Sequence, residues 1–343
     1  MDIKANKRID WIDCAKGIGI LLMIFAHCIH VVPLQVLIRG FIFSFHMPLF
    51  FILYGVTFRF SDDKRSFVYN LKKRFRHLVI PALISYLIIT FIDLLYALDH
   101  LDIVSFIRDH AVAVLFCAGA DYDIGSFHVS SVSMTWFLFV LFFASVIIDF
   151  CHLHFTARIN VLFYSLLSAA GFLIIFYGFG LPFALETVFL VIPFIISGRL
   201  LLTKIKVSDL RIIAISLISW IALFYVIAGI TNTYLEIAGR RFPLFPLCHI
   251  AAVAGSVFIC GICGWFTKLK FISAPFVTLG RYTLWVLIAH LFDYTLFFIW
   301  DISDNNYLNA VIRITVDIIL AFIIYKSRQL ILSAFGKKSL KLN

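Results

Sequence analysis

Residues 10–30 read DWIDCAKGIGILLMIFAHCIH, a largely apolar run that carries Asp13, Lys16, His27 and His30 inside it. A helix needs roughly 20 mostly apolar residues to cross a bilayer, and this stretch supplies them. Its ionisable residues are the ones such a helix should exclude. Lys16 and His27 stand eleven positions apart, which at 100° per residue is about 20° from the same face and roughly 16 Å along the axis. Asp13, three residues before Lys16, is placed to neutralise it. One stripe therefore joins a charged pair near the helix start to an imidazole near its end. Taken singly, Lys16 reads as an interfacial side chain that snorkels to water, and His27 as a packing residue. Taken together, beside Gly17, Gly19 and Ala26, which permit close helix approach, they read as a site.

The rest of the chain supports lipid as its solvent. It has 343 residues, 62% of them hydrophobic and 14% charged, with a mean hydropathy of +1.02. So little charge cannot cover the surface of a soluble protein of this length, whereas helices facing lipid need no polar coat. The 39 Phe fit the same reading. The net charge of +10 falls in short clusters between apolar spans, which is the pattern that orients membrane helices, and it excludes nucleic acid as a partner. Most of the seven cysteines fall inside apolar spans, where they behave as small buried hydrophobes; Cys260 and Cys263 make a C-x-x-C inside an apolar helix and lack a second ligand pair, so no metal is expected. The first span holds charges and ends in no small-residue cleavage site, unlike a signal peptide.

Ten spans are expected, near 12–32, 41–58, 78–97, 132–150, 159–177, 183–202, 210–229, 245–264, 275–298 and 307–329. Gly178, Gly180 and Pro182 suit a tight turn between the fifth and sixth. Basic residues alternate with the spans: Lys4, Lys7 and Arg8, then Arg59 to Arg76, Arg158, Arg199 to Arg211, Lys268 and Lys270, and the tail from Lys326 through Lys337, Lys338 and Lys341. The opposite loops hold few, and carry acids such as Asp99, Asp102, Asp121, Asp123, Asp301 and Asp304. The expectation is an all-α polytopic bundle, one domain over residues 1–343, with both termini cytoplasmic.

Ionisable groups within spans are costly and mark function. FSFHMPLFFILYG places His46 near the outer end of the second span, beside a kink from Pro48. LGRYTLWVLIAHLFDY places His290 and Asp293 in the outer half of the ninth. His27, His46 and His290 then share a depth, which suggests a polar cavity. Arg313 and Asp317, at i,i+4 in the last span, are placed to pair. KKRFRHLVIP gathers Lys72, Lys73, Arg74, Arg76 and His77 before Pro81; these set topology or bind phosphate. Trp136 and Glu186 are further candidates.

At these residues the chain resembles acyltransferase family 3, the bacterial membrane acyltransferases that include O-acetyltransferases of surface polysaccharides. DWIDCAKGIGILLMIFAH is similar to the family's first helix, where a basic residue and a histidine recur at the spacing of Lys16 and His27. FHMPLFFILYG, WFLFVLF and LGRYTLWVLIAH resemble later blocks, in order, from residue 8 to residue 290. The forms FHMPLFF and D-x-A-K-G-I-G are most similar to the fucose 4-O-acetylase-like branch. The family's Arg-x-x-Arg before the third helix has Lys73 with Arg76, or Arg74 with His77, in its place here; its usual Ser before the second-helix Gly is Tyr54.

The resemblance implies a multi-pass enzyme of the bacterial inner membrane that moves an acetyl group from acetyl-CoA to a sugar hydroxyl. The acceptor would be a surface polysaccharide or its lipid-linked precursor. It implies catalytic roles for His27, Lys16, Asp13, His46 and His290. Lys16, Lys73, Arg74 and Arg76 would hold the CoA phosphates, and Trp136 and Glu186 would bind the acceptor. A glycan transporter or flippase, using the same buried groups as a path, is the competing class; broken helices and internal repeats would mark it.

Overall fold

The computed structural model describes residues 8–29, 32–97, 102–296, 299 and 302–334. Lys4, Lys7, His30, Asp99, Asp301, Lys337, Lys338 and Lys341 lie outside them. Fourteen α-helices and one hairpin make up the described fold. They are α1 (Asp10–Cys28), α2 (Pro33–Phe43), α3 (His46–Val56), α4 (Lys64–Arg74), α5 (Ile80–Ala97) and α6 (Ile103–Phe116). The hairpin strands β1 (Tyr122–Ile124) and β2 (Phe127–Val129) follow, then α7 (Trp136–His154), α8 (Ala157–Phe176), α9 (Leu185–Ser197) and α10 (Leu210–Thr231). The chain closes with α11 (Leu247–Phe266), α12 (Lys270–Arg281), α13 (Thr283–Thr295) and α14 (Asn306–Ala334). Among the described residues, nine helices are long and apolar enough to cross a membrane, or ten if the bent pair α12–α13 counts as one. The ten expected spans map onto these ten in order.

Four expectations change in detail. The second span begins at Pro33, not residue 41, and runs to Val56, so His46 lies well inside it and not near its end. Pro48 has no N–H for the carbonyl four residues back, and the chain turns there, at Ser44–Phe45, between α2 and α3. The third span is longer than 78–97: α4, a π-helical turn at Phe75–Val79 and α5 make one helical stretch, Lys64–Tyr96. The basic run is therefore part of that helical stretch. Its 33 residues would reach about 50 Å against a hydrocarbon thickness of about 30 Å, so the basic end projects beyond the apolar layer. The wide turn sits just before Pro81, whose missing donor and ring disturb the preceding turn.

The ninth span is not one helix: α12 and α13 meet at a 70° bend. Tyr282 leaves helical geometry (φ −114°, ψ 12°) and its N–H bonds to the Leu279 carbonyl. The loop 98–131 holds α6 and the hairpin, turned at Gly125 with φ +60°. The turn expected at Gly178 is present, with φ +75°.

The helices group into two compact units. The first comprises Met1–Phe50, Leu202–Val226 and Ala251–Asn343; the second comprises Phe51–Leu201 and Ile227–Ile250. In the first, α1 packs on α12 and α14, and α13 packs on α14. Its dry layer is Ile20, Met23 and Ile24 of α1, Val286 and Ala289 of α13, and Ala321 of α14. The α1–α12 crossing is backbone against backbone. A Cβ on Gly17 would lie 2.1 Å from the Phe276 carbonyl oxygen, and one on Gly280 would lie 1.7 Å from that of Asp13. The second unit repeats the device, with Gly55 against the Ile195 carbonyl and Gly198 against that of Ile52. Without water or much hydrophobic drive between membrane helices, such close approach lets van der Waals contact hold them.

Candidate active site

In the first unit, α1, α13 and α14 bring polar groups together on one side of the dry layer. The His27 ring lies 5.6 Å from the His290 ring, centre to centre, and 5.4 Å from Phe43. Phe43 in turn carries His46 at 4.7 Å and the Arg39 guanidinium, also at 4.7 Å. The three histidines expected at one depth therefore do converge, with Phe43 between His27 and His46. His46 is buried and donates Nδ1–H to the Ile42 carbonyl at 3.2 Å.

The strongest geometry belongs to His290. Its Nδ1 is 2.8 Å from Asp317 Oδ2 and 3.5 Å from Asp293 Oδ2. A carboxylate only accepts, so the Nδ1 position carries the proton. Asp293 Oδ2 also takes Arg313 Nε at 2.8 Å. Arg313 and Asp317 thus do not pair with each other along α14, as their spacing suggested. Side by side with α13, each instead reaches a buried partner across the helix contact. His290 is 0% exposed, Asp317 0%, Asp293 1% and Arg313 8%. His290 Nε2, Asp293 Oδ1 and Asp317 Oδ1 are buried and have no hydrogen-bond partner in the protein. An imidazole held at Nδ1 by a carboxylate, with Nε2 left open beside a second histidine, is an arrangement suited to proton transfer or hydrogen-bond donation to a substrate.

His290, Asp293 and Asp317 also place three ligand atoms within 4.8 Å of one another. Two of their oxygens are already engaged: Asp317 Oδ2 accepts a hydrogen bond from His290 Nδ1–H, and Asp293 Oδ2 accepts one from the Arg313 guanidinium, both at 2.8 Å.

Lys16 is half-buried at the opposite end of the dry layer. The stripe that links it to His27 is occupied by Ile20 and Met23, both packed against α13 and α14. A substrate arm that starts near Lys16 cannot run along that seam. Asp13, expected to neutralise Lys16, still acts on it electrostatically, but its close ion contact is with Arg281: Arg281 Nε is 3.5 Å from Asp13 Oδ2, and Arg281 also lies 3.7 Å from Asp10. The α1–α12 crossing brings Gly280 onto Asp13 and so presents the next residue, Arg281, to its carboxylate.

The remaining candidates lie in the second unit. Arg74 is tied down: Nη1 reaches Asp149 Oδ2 at 2.7 Å and the Ser145 carbonyl at 3.3 Å, and Nη2 reaches the Arg59 carbonyl at 3.0 Å. Its guanidinium also covers the Phe58 ring. Asp149 accepts Ser61 N–H and Oγ–H as well, at 2.8 and 2.7 Å. Lys73 and Arg76 are exposed. Trp136 is buried at the start of α7, with Gly119 against its ring. Glu186, 1% exposed, accepts the Leu181 N–H at 3.0 Å and faces Arg240 Nε at 3.5 Å. Arg240 lies over the Tyr122 ring at 3.8 Å and donates to the Phe179 carbonyl. Glu186 and Arg240 thereby clasp the hairpin to the turn before α9.

Sequence reasoning counted Arg39 among the outer-loop charges, whereas it lies in α2 within the second span, and it passed over Asp149 in the apolar run of α7. It named Asp293, Arg313 and Asp317 without grouping them on His290. Only the partner helix, which no spacing along one helix reveals, makes that grouping visible.

No curated protein and no solved structure matches this chain significantly. Residues 9–326 match a protein family described as an acyltransferase domain. That match takes in α1 with Lys16 and His27, the α13–α14 pair with its histidine–carboxylate contact, and nearly the whole bundle. The chain belongs to acyltransferase family 3 and is a membrane acyltransferase that transfers an acyl group to a hydroxyl.

Proposed function

We propose that the protein is an O-acetyltransferase that moves acetyl from acetyl-CoA to a sugar hydroxyl of a surface polysaccharide or its lipid-linked precursor. It would work in the bacterial inner membrane, as a fucose 4-O-acetylase-like member of its family. The observation that carries this reading is His27, at 5.6 Å from His290 within a buried polar cluster. There, a neutral imidazole takes the proton of the acceptor hydroxyl as its oxygen attacks the thioester carbonyl. The tetrahedral intermediate then releases the thiolate, which recovers the proton. Lys16 supplies positive charge at the other end of α1, where the anionic donor enters from the cytoplasm. Because Ile20 and Met23 close the direct stripe, the donor's arm passes beside the α1–α13–α14 seam. In the second unit, Lys73 and Arg76 are exposed enough to meet phosphate, while Arg74 serves Asp149. Trp136 and Glu186 keep a proposed role in acceptor binding, exerted through the outer loops they hold.

The test compares surface glycan from cells with this protein, cells lacking it, and cells with His27→Ala. A gain of one acetyl mass that depends on the protein and vanishes in His27→Ala, at unchanged protein level, supports the reading. Normal acetylation in His27→Ala would overturn the base assignment. The 70° bend between α12 and α13 is the one feature that favours the transporter reading, because broken helices recur in transporters. Strict dependence of glycan export on an ion gradient, without acetyl transfer by purified protein, would select it.

A further inference from the structure

We infer that His290 works as an imidazolium whose Nε2–H receives the oxyanion of the tetrahedral intermediate, and that Asp317 is the positioning residue that keeps it protonated and aimed. This deepens the acyl-transfer reading above and rests on it.

The argument is one of charge and orphaned atoms. Asp293 and Asp317 bring two negative charges into a site where each is at most 1% exposed. Arg313 neutralises one of them, at 2.8 Å from Asp293. A neutral His290 would leave a net buried charge of one, which a low-dielectric interior penalises heavily. A protonated His290, at 2.8 Å from Asp317 and 3.5 Å from Asp293, closes the count at zero. The groups around the pair are His27 from α1, Asp293 on its own helix, and Arg313 and Asp317 from α14. Arg39 and His46, from α2 and α3, lie within electrostatic reach of His27.

An imidazolium donates from both nitrogens. Nδ1–H is spent on Asp317, which leaves Nε2–H buried, with no acceptor in the protein. A fully buried donor without an acceptor costs stability unless a ligand completes it. The ligand that suits it is an oxygen that gains negative charge during the reaction, since a preset donor is worth most against developing charge. His27 is the neighbouring ring, 5.6 Å away between centres, so the oxyanion and the hydroxyl proton would meet adjacent imidazoles.

The atoms then balance. The acceptor oxygen forms its bond to the thioester carbon and its proton goes to His27. The carbonyl oxygen becomes an oxyanion held by His290 Nε2–H. The carbon–sulfur bond breaks, the carbonyl reforms, and the thiolate takes the proton from His27.

Three measurements test this, all on the whole chain purified in detergent. In the first, ¹⁵N-histidine spectra, with His290 assigned by its loss in His290→Gln, should show a doubly protonated ring at neutral pH that becomes neutral in Asp317→Asn. A neutral His290 in the wild-type protein would overturn the inference, whatever the enzyme's activity. In the second, turnover of acetyl-CoA with simple methyl glycosides should fall about 10²–10³-fold in kcat for His290→Ala, the usual loss for one oxyanion donor. Asp317→Asn, nearly the same shape, should move the alkaline limb of the pH profile down by about one unit or more, because a carboxylate that favours the imidazolium is gone. An unmoved limb in Asp317→Asn, with normal folding, would reduce the pair to packing. Stoichiometric metal in the purified protein, lost in Asp293→Ala, would also overturn it. Absent turnover by the wild-type protein would sink the acyl-transfer reading instead, and the spectra would still decide the protonation.

Discussion

Arg74 of α4 and Asp149 of α7 form a 2.7 Å ion pair in which the carboxylate is fully buried and the guanidinium nearly so. Two Ser61 donors complete the carboxylate. Breaking such a pair from one side leaves a charge with nothing to balance it, at a cost of about 3–5 kcal/mol. Arg74→Ala should therefore lower the thermal midpoint in detergent and the membrane yield, before any effect on donor binding. Arg76, exposed on the same basic run, should behave in the opposite way. Arg76→Ala keeps the wild-type melting curve and raises the apparent KM for acetyl-CoA. A destabilised Arg76→Ala, or a stable Arg74→Ala with only a KM effect, would reverse the two assignments.

At the α1–α12 crossing, space sets the prediction. A Cβ at Gly280 would stand 1.7 Å from the Asp13 carbonyl oxygen, and the obstacle is backbone, which cannot rotate away. Gly280→Val should separate the helices and cost well over the ~1–3 kcal/mol of ordinary overpacking. It should also remove Arg281 from Asp13. Gly229, with nothing within 4 Å of its would-be Cβ, is the control, and Gly229→Ala should melt like the wild type.

The bundle was readable because its signal is crude: an apolar run of the right length, flanked by charge, is a spanning helix whatever its neighbours do. Boundaries failed where the helix outran its most apolar stretch, at Pro33 and Lys64, and where the backbone broke, at Tyr282. The site was legible one residue at a time and not as a set. His27, His46 and His290 stood out as polar residues in apolar spans, and their common depth followed from topology. The partners of His290 did not, since Asp317 lies on another helix and its i,i+4 neighbour Arg313 offered a simpler match. Asp13 was half read for the same reason: it does act on Lys16, its neighbour in sequence, but its closest cation in space is Arg281.

On the β1–β2 hairpin, outside the spans, His128 Nδ1 lies 2.8 Å from Asp123 Oδ1. That hydrogen bond raises the imidazole above its ordinary value. A raised folded value means the pair contributes fully below the ordinary histidine range and is lost as pH rises through the higher one. Both groups are exposed, so the melting curve should hardly respond. A histidine ¹³C titration should: His128 titrates higher than a free histidine, and Asp123→Asn brings it back down. An unchanged titration in Asp123→Asn would dismiss the contact.

The α13–α14 contact offers the sharpest energetic test. Arg313→Leu alone strips Asp293 of its guanidinium and leaves the buried cluster one charge short, a loss of about 3–5 kcal/mol. Asp293→Leu alone strands Arg313 with comparable effect. Removing both leaves Asp317 with His290, which is neutral as a set, and puts apolar volume into an apolar helix contact. The double variant should therefore be far less destabilised than the sum of the singles, with a coupling of roughly 1.5–3 kcal/mol or more. Denaturant or thermal unfolding of the four proteins in the same detergent gives that coupling directly. Additive losses would mean that the two side chains do not share one charge balance, and the count that makes His290 an imidazolium would fall with it.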